Sequence, residues 1–152
     1  KQYYAYGEDV LSVGDGKVVS VINTIEESDV LLQSEDTDEH WMKVKSLQNE
    51  LMQKGFGYIM GNHVIIEHAN GEYSYYMHLK KNSIPVQVGD AIIRGQEIGE
   101  LGQSGMSSEP HLHFQLSDSP DILKSRSLPI VFSNIGDENW NILYGEIIKT
   151  DN

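Results

Sequence analysis

Three histidines are the residues of this sequence best placed to do chemistry. His111 and His113 stand two apart in Pro110-His111-Leu112-His113-Phe114, and His78 follows Tyr76-Met77. In a strand, residues i and i+2 project to one face. His111 and His113 are therefore expected side by side, with Leu112 and Phe114 turned into the core. Two imidazoles at that separation can share a metal ion, or one can bind it while its neighbour handles a proton. Taken alone, the pair also reads as two partly exposed strand histidines. The chain has no cysteine, which removes disulfides, thiolate zinc sites and cysteine nucleophiles. Any metal must rest on histidine and carboxylate, a donor set that suits zinc.

The elements that would position these groups read as short strands. Fourteen glycines punctuate β-branched runs, a pattern of strands joined by tight turns. Asp9 to Ile22 holds two strand pieces around Gly14-Asp15-Gly16. Asn70-Gly71 predicts a type I′ hairpin, because both turn residues need positive φ. Placing them at the tip pairs Ala69 with Glu72 and sets His63 opposite His78 on the same face. Val86 to Leu101 gives two short pieces separated by Gly turns, Gly102 to Pro110 a loop, and His111 to Leu116 a strand. Leu128 to Phe132 and Ile142 to Ile148 predict two more. One stretch breaks the β pattern. Between about 36 and 54, Asp36 or Thr37 can cap a helix, Asp38 and Glu39 fill its first turn, and Gly55 can end it. Trp41, Val44, Leu47 and Leu51 form its packing stripe, and His40 is expected in solvent. Such an insertion is read as a packed appendage or as the wall of a cleft.

The 152 residues fit one domain, and no apolar run is long enough to span a bilayer. Lys1 to Tyr6 is not a charged start followed by an apolar stretch, so no export signal is read there. A net charge of −12 argues against nucleic acid and anionic membranes as partners. It is read as a solubility feature, or as a preference for cationic targets.

Several motifs occur in an order that resembles the lysostaphin-type M23 metallopeptidases. They are Gly61-Asn62-His63-Val64-Ile65-Ile66-Glu67-His68-Ala69-Asn70-Gly71, then Tyr76-Met77-His78-Leu79, Val88-Gly89-Asp90, and Arg94-Gly95-Gln96-Glu97-Ile98-Gly99. Gly99-Glu100-Leu101-Gly102-Gln103-Ser104-Gly105, with Ser107 and Pro110 to Phe114, completes the series. Val10 to Val19 looks like the early strand and turn, so the resemblance covers about residues 6 to 116.

The resemblance implies an all-β, mainly antiparallel fold, a compact two-sheet or barrel-like M23 domain over 1–152. Residues 36–54 would then be a helical insertion and 117–152 a C-terminal extension. It implies a zinc endopeptidase acting on peptides of bacterial peptidoglycan, extracellular, periplasmic or attached to the cell wall. His113 matches a zinc ligand. His78 and His111 match the groups that flank the zinc-bound water as general base and transition-state stabiliser, a division that zinc and imidazole chemistry supports. The family draws two further ligands from an upstream His-x-x-x-Asp, and no such motif precedes Val10 in this sequence. His63 is the candidate substitute or neighbouring ligand. The alternative is a degenerate domain of the same fold that binds or activates a partner cell-wall hydrolase. His68 is expected at the hairpin end and Asp15 in turn chemistry. Tyr76 is read as core packing or groove lining, and Glu109 as a solvated loop residue or a contact for a cationic group. A carrier-domain reading needs a modifiable Lys at a hairpin tip, and Lys80 and Lys81 are not so placed.

Overall fold

The computed structural model describes residues 3–32 and 36–130. Seven strands and two helices follow one another as β1 (Asp9–Leu11), β2 (Gly16–Ile22), α1 (Asp38–Lys54), α2 (Phe56–Ile59), β3 (Asn62–Glu67), β4 (Tyr73–Leu79), β5 (Ala91–Ile92), β6 (Glu97–Glu100) and β7 (His113–Ser117). Five strands form one sheet in the order β5-β2-β3-β4-β7, and β1 pairs with β6 in a second. All these pairings are antiparallel. The mainly antiparallel, two-sheet expectation holds. The larger sheet is open, with β5 and β7 as its edges.

Alternation on β3 and β4 divides the core between the two faces of this sheet. Val64, Ile66 and Tyr76 join Val18, Leu79 and Ile98 in one buried cluster, against which Leu112 and Phe114 pack. Ile65, Tyr75 and Met77 join Met60 in another, with Phe56 and Ile122 against it. Strands buried on both faces read as near-continuous apolar runs, and Val64-Ile65-Ile66 is such a run.

Helix α1 obeys its caps. The Thr37 side chain accepts from His40 N, Asp38 and Glu39 occupy the first turn, and Gly55 at φ 113° ends the helix. Asp36 instead accepts from Trp41 Nε1 at 2.9 Å. The packing stripe differs from the expected one. His40, Val44 and Leu51 are buried, while Trp41 is 56% exposed. Positions 40, 44, 47 and 51 follow the 3.6-residue period, so His40 takes the inward place that the sequence reading assigned to Trp41. The expectation of a solvated His40 is corrected, and its Nδ1 is buried without a hydrogen-bond partner among the described residues.

The hairpin forms one residue out of the expected register. Asn70 and Gly71 do take positive φ, 69° and 73°. Ala69–Gly71 winds into a short 3-10 turn, and His68 N donates to Glu72 O. The ladder therefore pairs Glu67 with Tyr73 and Val64 with Tyr76. An irregularity between Asn62 and Val64 then restores the count, pairing Asn62 with Leu79. His63 falls in that irregularity and does not pair with His78. Strand β7 begins at His113, so His111 lies in the preceding loop. No strand occupies Leu128 to Ile130, although Leu128 N donates to Leu116 O. Val131, Phe132 and the run Ile142 to Ile148 lie outside the described residues.

Candidate metal centre

His78, His111 and His113 come together. Each offers a ring nitrogen, and these lie within 4.8 Å of one another. The His78 ring centroid is 5.0 Å from that of His111 and 5.9 Å from that of His113. The β4–β7 register accounts for the second approach, because His113 is the cross-strand partner of Met77, next to His78.

His78 occupies an unusual backbone conformation, with φ 63°, which is uncommon for a residue bearing a β-carbon. The surroundings hold it there. Its N–H donates to Met60 O at 3.0 Å. Its Nδ1 lies 2.8 Å from Ser104 O. A carbonyl only accepts, so Nδ1 carries the proton and Nε2 keeps its lone pair when the ring is neutral. Ser104 Oγ fixes the same corner, donating to Leu79 O at 2.6 Å and accepting from Asn62 N at 2.8 Å.

His111 follows the same logic from its loop. Its Nδ1 donates to Glu109 O at 2.7 Å. Ser107 Oγ, which donates to that carbonyl at 2.7 Å, lies 3.2 Å from the same nitrogen. Histidines that bind metals commonly donate their other ring N–H to a backbone carbonyl, and both rings are oriented in that way.

Burial disfavours the charged form of two of the three rings. Burial pushes the His78 imidazole down to about 4, against the Ser104 carbonyl, and the neighbouring histidines push it further the same way. Partial burial, then the adjacent His111, also lowers that of His113. His78 is buried, His111 half-buried and His113 the most open of the three. Imidazole nitrogen suits zinc, so His113, with His78 and His111 beside it, fits the metal that the motifs imply.

His63 is not part of this group. It is buried, its Nδ1 donates to Gly61 O at 2.8 Å, and Nε2 lies 3.3 Å from Ser20 Oγ. Other residues take the quieter of their two readings. Tyr76 is in the core, its hydroxyl accepting from Val13 N at 2.9 Å. Asp15 accepts from Arg94 N in its turn, and the His68 ring bridges Asp15 O and Ser74 Oγ. Lys80 and Lys81 are ion-paired with Glu100 and Glu26.

Sequence reasoning gave no role to Ser104 or Ser107, which orient two of the three imidazoles. The signal lay in the glycines around them. A β-carbon on Gly61 would stand 2.4 Å from Ser104 O, and one on Gly105 would stand 2.5 Å from Gly61 N. Only glycine lets the two backbones approach so closely.

Residues 3–124 match the profile of Peptidase family M23, and the chain belongs to that family. It is 39% identical over 75 residues to Peptidoglycan DD-endopeptidase ShyA of Vibrio cholerae, a match covering 49% of this chain and 16% of that protein. Against Lysostaphin of Staphylococcus simulans it is 46% identical over 56 residues, covering 36% of this chain and 11% of that protein. The chain thus spans less than a fifth of the length of either relative. The fold matches the catalytic domain of the antimicrobial peptidase lysostaphin from Staphylococcus simulans with a TM-score of 0.51 and 24% identity, over 82% of this chain and 70% of that one.

Proposed function

We propose that this chain is the peptidase part of a zinc metalloendopeptidase that hydrolyses peptide bonds of bacterial peptidoglycan, acting outside the cytoplasm. The observation that carries this reading is the convergence of His78, His111 and His113, two of them with Nδ1 tied to a backbone carbonyl. Membership of family M23 and relatives named as peptidoglycan endopeptidases support the substrate class.

His113 would hold the zinc, as the second histidine of the His-x-His pair. Zinc, when bound, supplies Lewis-acid chemistry, acidifying water and polarising a carbonyl. His78 and His111 do the proton work. Each has Nδ1 committed to a backbone carbonyl, which leaves Nε2 as the free acceptor, so one can take a proton from the attacking water. The other, once protonated, can donate to the oxygen on which charge develops. Burial holds His78 neutral near pH 7, which makes its Nε2 an acceptor in the resting state.

The test joins zinc binding to turnover. Calorimetric titration with zinc should show affinity weakened at least about tenfold by His113→Ala. His78→Ala and His111→Ala should keep zinc yet lose release of amino groups from purified peptidoglycan. Zinc affinity indifferent to His113→Ala would sink the proposal. A chain that releases nothing from peptidoglycan and binds another cell-wall hydrolase would establish the degenerate alternative instead.

A further inference from the structure

Beside the histidines lies a cavity of about 330 Å³ whose walls are mostly apolar, within the size range of small-ligand pockets. Phe56, Ile59 and Met60 come from α2 and its C-terminal cap, Met77 from β4, Met106 from the 102–110 loop and Ile122 from the segment after β7. His78 and His113 form the remaining wall. Gln115, the other polar residue at the pocket, already donates its Nε2 to Ser117 Oγ at 2.6 Å.

Two features tie this pocket to the reacting groups. Met106 N donates to Ile59 O at 3.0 Å, and His78 N donates to Met60 O at 3.0 Å. The loop, α2 and β4 therefore meet at one seam, and the cavity opens along it. A group seated in the cavity touches the imidazoles, so its occupant is part of whatever reacts there. Water finds few partners on such walls. A glycine residue would leave the space unfilled. Three methionine side chains can adapt to an aliphatic chain of several carbons.

We propose that this pocket receives the aliphatic side chain of the residue flanking the scissile peptide bond, so that the site selects aliphatic over glycine peptides. The proposal rests on the peptidase reading of the three histidines for its word "scissile". Binding, however, is measurable without cleavage.

The experiment uses the full chain labelled with [13C-methyl]methionine, which gives five probes. Met60, Met77 and Met106 report on the pocket. Met42 and Met52 are exposed on α1 and serve as internal controls. The probes are acetyl-Ala-Leu-Ala-amide, with L- or D-leucine, and acetyl-Ala-Gly-Ala-amide. A leucine peptide should shift the three pocket methyl signals and leave the two controls in place. It should bind at least about tenfold more tightly than the glycine peptide, the scale of discrimination that apolar pockets reach. Met106→Gln, which preserves side-chain length, should remove most of that preference. Dispersed signals from the buried Met60 and Met77 before peptide is added verify that the variant is folded. Equal affinity for the leucine and glycine peptides, or shifts confined to Met42 and Met52, would overturn the inference. Pocket shifts with no cleavage of either peptide by the zinc-loaded chain would retain the pocket and count against the hydrolytic reading alone.

Discussion

At the scale of single residues, the site depends on groups that never face it. Ser104 is fully buried, and its hydroxyl bonds both Leu79 O and Asn62 N. Ser104→Ala should therefore cost about 1–3 kcal/mol, because it strands a buried donor and weakens an acceptor. Urea unfolding of the metal-free chain measures this directly. His63 supplies a second residue-scale prediction. Burial lowers its imidazole, outweighing the Gly61 carbonyl that would raise it. In the unfolded chain it titrates near the ordinary value of about 6.5. As pH falls, the unfolded state takes the proton first. The stabilisation from a neutral His63 is complete above that ordinary value and is lost as pH falls through it toward the lowered folded value. The urea midpoint should drop between pH 7.5 and 5.5, and His63→Gln should flatten the drop without removing it, since His78 shifts in the same direction. An unchanged pH dependence in that variant would contradict the assignment.

At the scale of elements, the sequence disclosed what short-range rules control. The α1 caps at Thr37 and Gly55, the two strand pieces around Gly14-Asp15-Gly16 and the positive φ of Asn70-Gly71 all stand as read. His111 and His113 were legible as neighbours, although His111 reaches its place from a loop. What the sequence left hidden depends on contacts distant along the chain. The 3-10 turn at Ala69–Gly71 and the irregularity at His63 shift the ladder in compensating steps. No local pattern announces either, and together they remove His63 from the position a regular hairpin would give it. On α1 the more apolar Trp41 faces solvent and His40 points inward, a choice that apolarity alone does not disclose. The buried, partnerless Nδ1 of His40 is a local cost of that choice. His40→Leu should leave the fold intact and raise stability by about 1 kcal/mol or more, as removal of an unsatisfied buried polar atom does. A lower thermal midpoint in this variant would mean that the ring serves a purpose beyond packing.

For the whole molecule, metal and fold should be linked. A ligand that binds only the native state stabilises it by about 2.7 kcal/mol at a hundredfold excess over its Kd. Saturating zinc should accordingly raise the thermal midpoint, and His113→Ala should abolish most of the rise. Neutral imidazole is needed for that binding, and His113 is held below its ordinary value, so the increment should survive through the ordinary histidine range of about 6.5 and be lost only at lower pH. A zinc effect that persists in His113→Ala would place the ion elsewhere.

Met60 closes α2 with its N–H, which donates to Phe56 O, and its carbonyl accepts the His78 N–H, while Gly61 and Gly105 press the neighbouring backbones together. In folding terms, this seam joins stretches that are remote along the chain, and each closure must be completed before any contact there repays its entropy. The imidazoles at 78, 111 and 113 cannot be assembled by a hairpin folding alone. The cluster is therefore completed as a late event: a nascent chain carries three scattered histidines, and only the finished topology brings them within reach of one another.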